Sequence, residues 1–280
     1  MYFLDKNRIK YFKTLIDTPA TDRKKALEMF YIELFLQTPD GILWKEENKL
    51  INIPRQESPD CLFATADNQK KGIEIVDWVN DTKQCLVTKI LTDIARDICI
   101  KIKKEQNIYI TLCIDIYDPQ RWSYRTREEY LNYVYNPGIK RLQANTKTLK
   151  KVFLEAVLKS DKITYNFIEK QLEVNGQLFK LTFHQSWLGY PDFHINNVSL
   201  CWQDPAMALQ QIINYKNKKY RSYLTKCNTC DLLIVNPYYS TGNCMLSDKE
   251  TIFKSYFPNV FLLNWTGMDI SVTKLHTVQP

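Results

Sequence analysis

Pro59-Asp60-Cys61-Leu62-Phe63-Ala64-Thr65-Ala66-Asp67-Asn68-Gln69-Lys70-Lys71-Gly72-Ile73-Glu74-Ile75-Val76-Asp77-Trp78 is the stretch on which the reading of this chain turns. Its two ends, Cys61–Thr65 and Ile73–Trp78, are short, apolar and rich in β-branched or aromatic residues. Between them lies the polar run Ala66–Gly72, so the pattern predicts a β-hairpin. With a turn centred near Asn68, Asp60 falls opposite Val76 and diagonal to Glu74, on one face of the sheet. Two carboxylates on one face, roughly 7–8 Å apart at Cα, can hold a hard divalent cation between them. Magnesium needs few protein ligands because it keeps several waters.

Working outward, Pro59-Asp60 followed after a turn by Gly72-Ile73-Glu74-Ile75-Val76 resembles the PD-(D/E)XK nuclease superfamily, whose fold is that of the restriction endonucleases. The nearest likeness is to the branch with a Gly-Ile-Glu-Ile strand. The resemblance implies an α/β fold with a restriction-endonuclease-like core of order αβββαβ, a mixed central sheet flanked by helices. It implies Asp60 and Glu74 as metal carboxylates for Mg2+ or Mn2+, and hydrolysis of phosphodiester bonds in DNA or RNA. One position departs. The lysine that the family carries two residues after its glutamate is here Val76. Either a lysine from another element takes over, or the module is catalytically inactive and binds nucleic acid or a protein partner.

Upstream, Lys6–Ile16 reads as a short basic helix, and Thr21 caps a stronger one, Asp22–Gln37, with an apolar stripe from Ala26 to Phe35. On that stripe's rim the resemblance makes Glu33 a third metal ligand. Thr38-Pro39-Asp40-Gly41 reads as a breaker and Ile42–Ile53 as the first core strand. Downstream, Thr82–Lys104 is predicted helical and Asn107–Tyr117 a buried strand, joined to the core in parallel by a right-handed crossover. Lys83 and Lys89 on that helix are candidates to replace the missing lysine or to touch substrate.

Residues 118–203 break the pattern and read as an inserted α+β lobe, leaving 1–117 and 204–280 as the two parts of the core. In the lobe, Thr126-Arg127-Glu128-Glu129 is a capping box opening a helix to Tyr135, and Thr146–Lys159 is a second helix. Asn175-Gly176 between Tyr165–Val174 and Gln177–His184 is a strong hairpin signal. The lobe's cations, Trp122, Trp187 and its tyrosines could form a nucleic-acid surface, since cations hold phosphates while rings stack on bases. The competing reading makes those rings the lobe's own core. His184, Asp192 and His194 match no metal spacing and read as structural.

Asp204-Pro205 opens a late helix. Its run Gln211-Ile212-Ile213-Asn214-Tyr215-Lys216-Asn217-Lys218-Lys219-Tyr220 sets Lys216, Lys219 and Tyr220 close together at helical spacing. By resemblance, Lys216 or Lys219 supplies the charge missing at Val76, and Gln211, Tyr215 and Tyr220 are substrate contacts. Asp231–Val235 is a buried strand, Val260–Trp265 and Asp269–Leu275 form a closing hairpin, and the tail is expected to be disordered.

The formal net charge of +7 suits a polyanionic partner, so nucleic acid is expected, with a homodimer as a further option. No apolar run is long enough to span a bilayer and the first residues are too polar for a secretion signal, so a cytoplasmic protein without membrane contact is expected. Eight cysteines at irregular spacing read as reduced thiols; the single Cys227-Asn228-Thr229-Cys230 pair, even with Cys201 or Cys244, does not make a zinc signature.

Overall fold

A computed structural model describes residues 2–51, 59–78, 82–116, 138–160, 162–187, 189–196, 204–236, 251–265 and 269–280. The elements are α1 (Tyr2–Asp17), α2 (Arg23–Leu36), α3 (Pro39–Glu47), β1 (Cys61–Ala64), β2 (Lys70–Asp77), α4 (Thr82–Gln106), β3 (Ile110–Ile116) and α5 (Gly138–Leu158). They continue as β4 (Ile168–Val174), β5 (Gln177–Gln185), β6 (Asp192–Asn196), α6 (Pro205–Asn217), α7 (Tyr220–Tyr223), β7 (Thr229–Asn236), β8 (Ile252–Lys254), β9 (Val260–Trp265), β10 (Ile270–Lys274) and β11 (His276–Val278). The chain is α/β, with mixed multi-stranded sheets flanked by helices, and it divides into two compact units.

The first unit comprises Met1–Leu4, Asp17–Asn80 and Gln203–Pro280. Its sheet runs β1-β2-β7-β9-β10, with β2, β7 and β9 mutually parallel. β7 reads Thr-Cys-Asp-Leu-Leu-Ile-Val-Asn and is buried from Cys230 onward, as a parallel strand covered on both faces must be. One face carries Phe63, Asp231, Phe261 and Trp265 beneath α2 and α3: the Phe30, Phe35 and Trp44 rings lie 5.3, 5.0 and 5.3 Å from those of Trp265, Phe261 and Phe63. The other carries Leu62, Leu232, Ile234 and Leu262 beneath α6 and α7, which contribute Leu209, Ile213 and Tyr223.

Three expectations are corrected here. The run Ile42–Ile53 is not the first strand, because Thr38-Pro39-Asp40-Gly41 starts a helix. The Thr38 hydroxyl accepts from the Gly41 amide at 3.2 Å, Pro39 occupies the first turn and Asp40 faces the helix's positive end. What survives of a strand among the described residues is one antiparallel bridge, Leu50 to Thr65, on the outer edge of β1. Second, the parallel neighbour that β2 gains through a crossover is β7, by way of α6, and not β3. Third, the tail forms β11, paired in parallel with β8.

The second unit comprises Asp5–Ile16 and Asp81–Trp202, so the division falls at 80/81 where the sequence put it at 117/118. Helix α4 and strand β3 join the lobe, in a sheet of order β4-β5-β3-β6. The reason is visible in β3 itself. Ile110, Leu112, Ile114 and Ile116 are buried while Thr111, Cys113 and Asp115 between them are only half-buried, the alternation of a sheet packed on one face. Its antiparallel neighbour β5 follows β4 through Asn175-Gly176, whose φ values of 51 and 76 suit the hairpin turn expected there. The capping box and helix expected over 126–135 lie outside the described residues, as do Trp122, Cys201 and Cys244.

Candidate functional site

β1 and β2 pair with Cys61 opposite Ile73 and Leu62 opposite Gly72. Continuing that register by one residue sets Asp60 opposite Glu74 itself, where Val76 was expected. The turn centres one residue earlier than Asn68, which moves each partner by two and so keeps both acids on the same face. Asp60 accepts a hydrogen bond from the Ile75 amide at 2.8 Å, which uses the backbone donor that β1 no longer reaches.

Glu74 points to the face covered by α6 and α7. Lys216, at the last turn of α6, donates to Glu74 Oε1 at 2.5 Å, and the Tyr223 hydroxyl from α7 donates to the same oxygen at 2.7 Å. All three are buried, at 6 % exposure for Glu74, 9 % for Lys216 and 5 % for Tyr223. Lys216 also approaches the Ile75 carbonyl at 3.4 Å. Lys216 thus reaches the glutamate from a different element, beside the strand position that Val76 occupies. Burial holds the Tyr223 phenol well above its usual range, and its bond to Glu74 adds to that, so it stays a donor.

Asp60 is half-buried, and its carboxyl is pushed up to about 7. Desolvation is the largest cause; the charge of Glu74 comes next, while the Ile75 amide and Lys216 oppose it. A carboxyl perturbed in this way by burial and a neighbouring acid marks a candidate functional position. From α2, the glutamate whose charge acts on Asp60 is Glu28, itself 3.1 Å from Lys24; Glu33, five residues on, is not among the main charges felt there. Asp77, at the exposed end of β2, lies in the field of Glu28, Lys24 and Lys216. Among the described residues no three His, Cys, Asp or Glu side chains converge as a metal-holding group.

Other predicted contacts separate into two sets. Gln211, Tyr215 and Lys219 are exposed on the outside of α6 and just beyond it, with the Lys219 ammonium 4.9 Å over the Tyr215 ring. Tyr220 turns inward, its ring 4.9 Å from that of Phe257. Lys89 is exposed on α4 in the second unit, and the side chain of Lys83 lies outside the described residues. Sequence reasoning missed Tyr223 and Glu28. Tyr223 stands seven residues after Lys216, the spacing that returns a side chain to the same helical face, and that was the available signal.

Close to this site, Gly72 lies against Cys227 and Cys230. A Cβ there would meet Pro59 Cγ at 2.6 Å, Cys227 Sγ at 2.9 Å and Cys230 Sγ at 3.3 Å, so only glycine lets the two thiols and Pro59 close over the strand. Both cysteines are free and buried. On the opposite face of the sheet is a second buried pair, Lys71 and Asp231 at 2.7 Å. No helix among the described residues is long and apolar enough to cross a membrane.

Compared with known proteins, the chain matches no family model, no curated protein and no solved structure.

Proposed function

We propose that the first unit is a metal-dependent nuclease that hydrolyses phosphodiester bonds in DNA or RNA, on a restriction-endonuclease-like core. The observation that carries this reading is the trio Asp60, Glu74 and Lys216: an acid just ahead of β1 and an acid in β2, near enough that the charge of Glu74 acts on Asp60, with a lysine 2.5 Å from Glu74. The helix α2, the hairpin β1-β2, the crossover helix α6 and the parallel strand β7 support this reading in part, while α3 stands where the first strand of such a core was expected.

Asp60 and Glu74 offer hard carboxylate oxygens, and two of these fit Mg2+ or Mn2+, which fills its remaining positions with water. When bound, such an ion activates a water and neutralises charge on the phosphate during attack. The chain's own contributions are distinct. Lys216 and Tyr223 fix Glu74 by occupying Oε1, which aims the carboxylate and leaves its orientation to Oε2. The Ile75 amide fixes Asp60 through Oδ2 in the same way. Lys216 keeps positive charge beside the acids, where an anionic transition state gains from it.

The test is cleavage of plasmid and single-stranded DNA and RNA with Mn2+ or Mg2+, comparing wild type with Asp60→Asn and Glu74→Gln. Activity that falls at least ~100-fold in both variants is expected. Variants that cut as well as wild type, or a wild type that cuts nothing with any divalent ion, end the reading.

A second reading is favoured by one observation, the deep burial of Glu74 with both Lys216 and Tyr223 already on it. In that case the pair is a structural clasp, and the module binds nucleic acid or a protein without cutting. Calorimetry separates the two: manganese binding lost in Asp60→Asn supports the enzyme, while metal-indifferent, salt-sensitive nucleic-acid binding supports the module.

A further inference from the structure

The second unit has a feature that cleavage does not need. The face of its sheet away from the Ile110–Ile116 core holds a cavity of about 290 Å³. The register lines up its walls: His184, Thr111 and Asp192 are paired across β5, β3 and β6, with Thr182, Cys113 and His194 in the next row. At the β4 end stand Phe167 and Trp187, 66 % and 64 % exposed. Their rings and that of His184 form one cluster, with centroids 4.5 Å from His184 to each and 5.9 Å between Phe167 and Trp187.

The polar groups have definite valences. His184 Nδ1 lies 2.8 Å from the Gln185 carbonyl, which can only accept, so Nδ1 carries a proton and Nε2 is left for a ligand. Thr111 and Thr182 add hydroxyls that donate or accept. At the far end, Arg8 donates both to Asp192 and to His194 Nε2, the latter at 3.0 Å. Arginine cannot accept, so that nitrogen is an acceptor and the proton of His194 sits on Nδ1. The cavity's arginine and aspartate are therefore already joined to each other.

That pairing decides among ligands. A quaternary ammonium would want aromatic rings beside an uncompensated carboxylate, but Arg8 neutralises Asp192. A free anion would want an uncompensated Arg8, and Asp192 holds it. What fits is a flat, neutral, heteroaromatic ring with donors and acceptors on its edge. The volume lies at the lower limit of ligand cavities, enough for one base, and the two exposed rings continue outward where neighbouring bases would stack. A duplex gives up a base only at the cost of unpairing and unstacking it, whereas a single strand offers one more cheaply. The chain's 38 lysines and arginines against 31 acids suit the accompanying phosphates.

We propose that the second unit binds single-stranded nucleic acid by taking one unstacked base into the cavity beside His184, with Phe167 and Trp187 stacking on the base or its neighbours. This does not rest on cleavage by the first unit, and the experiment keeps them apart. Fluorescence anisotropy of a short labelled single strand, DNA or RNA, is measured in EDTA with the full chain, so no cutting is required. Trp187→Ala and Phe167→Ala are expected each to weaken binding roughly tenfold, as loss of a stacked base does. Tyr165→Ala removes a ring that is 52 % exposed but outside the cavity, and should change affinity less than about twofold. A duplex of the same sequence should compete poorly. The proposal is overturned if wild type does not bind the single strand, if neither Trp187→Ala nor Phe167→Ala weakens it, or if inorganic polyphosphate competes as well as the unlabelled strand.

Discussion

The five-stranded sheet of the first unit carries a buried lysine–carboxylate pair on each face, and the two are built differently. On the α2–α3 face Asp231 is fully enclosed and takes hydrogen bonds on both oxygens: Lys71 and the Trp44 indole on Oδ2, the Asn259 amide and side chain on Oδ1. On the α6–α7 face both bonds to Glu74 end on Oε1, and a second acid, Asp60, stands opposite and is pushed up to about 7. A carboxylate surrounded by donors is an anchor, since each donor lowers the cost of burying its charge. A carboxylate set against another acid raises that cost.

The largest effect should come from breaking the anchor. Asp231→Ala leaves Lys71 buried without a counter-charge and the Trp44 indole without an acceptor. The expected loss in urea unfolding is about 3–5 kcal/mol. Replacing both partners, Lys71→Met with Asp231→Leu, should recover most of it, because apolar side chains of similar size carry no burial cost for charge. If the single change costs under ~1 kcal/mol, Lys71 finds water and the contrast between the faces is weaker than the burial implies.

Next comes the pH dependence of the crowded pair. Asp60 titrates near 3.8 in the unfolded chain and near 7 when folded, so between those values the folded state holds the extra proton. Stability contributed by that proton is full below pH ~4 and is lost as pH rises toward 7. The decline should be on the order of 2 kcal/mol, allowing for partial exposure. Asp60→Asn should flatten it, since the amide keeps an acceptor for the Ile75 N–H and carries no charge. Manganese should raise the melting temperature more at pH 7.5 than at pH 5, because protons and metal compete for the same oxygens. A wild type whose melting is level from pH 4 to 8 would mean the acids are not coupled.

These two regions also differ in how far they can be read from sequence. The hairpin, the shared face of Asp60 and Glu74, and the arrival of Lys216 on a helix opened by Asp204-Pro205 are local patterns, and local patterns survive a misplaced turn centre. Three things were not local. Thr38-Pro39-Asp40-Gly41 both ends α2 and starts α3, and the Trp44 it places on α3 bonds to Asp231, a partner far along the chain. Strand β3 looks like a core strand until its partners β5 and β6 are known, and those lie far along the chain. Trp187 reads more readily as lobe core than as surface; its exposure follows from the tertiary arrangement.

A smaller effect isolates the clasp on Glu74. Tyr223→Phe keeps the ring against Phe257 and removes one donor to a charged acceptor, so a loss of about 1–2 kcal/mol is expected in urea unfolding. Because Lys216 remains, metal binding should persist. Should it vanish, Tyr223 orients Glu74 and the lysine alone cannot.

The smallest change in stability should sharpen the comparison most, because it leaves both buried pairs untouched. Lys219 and Lys216 share the end of α6, but Lys216 is held inside by Glu74 while Lys219 is exposed with its ammonium over Tyr215. Lys219→Gln should alter stability by less than ~0.5 kcal/mol. If Lys219 meets a phosphate, the slope of log affinity for nucleic acid against log salt should become shallower by about one. An unchanged slope would confine the lysine's role to the helix surface. Phosphate contact would then have to come from other cations, while the assignment of Lys216 to Glu74 would stand, since that contact is made inside the fold and does not depend on Lys219.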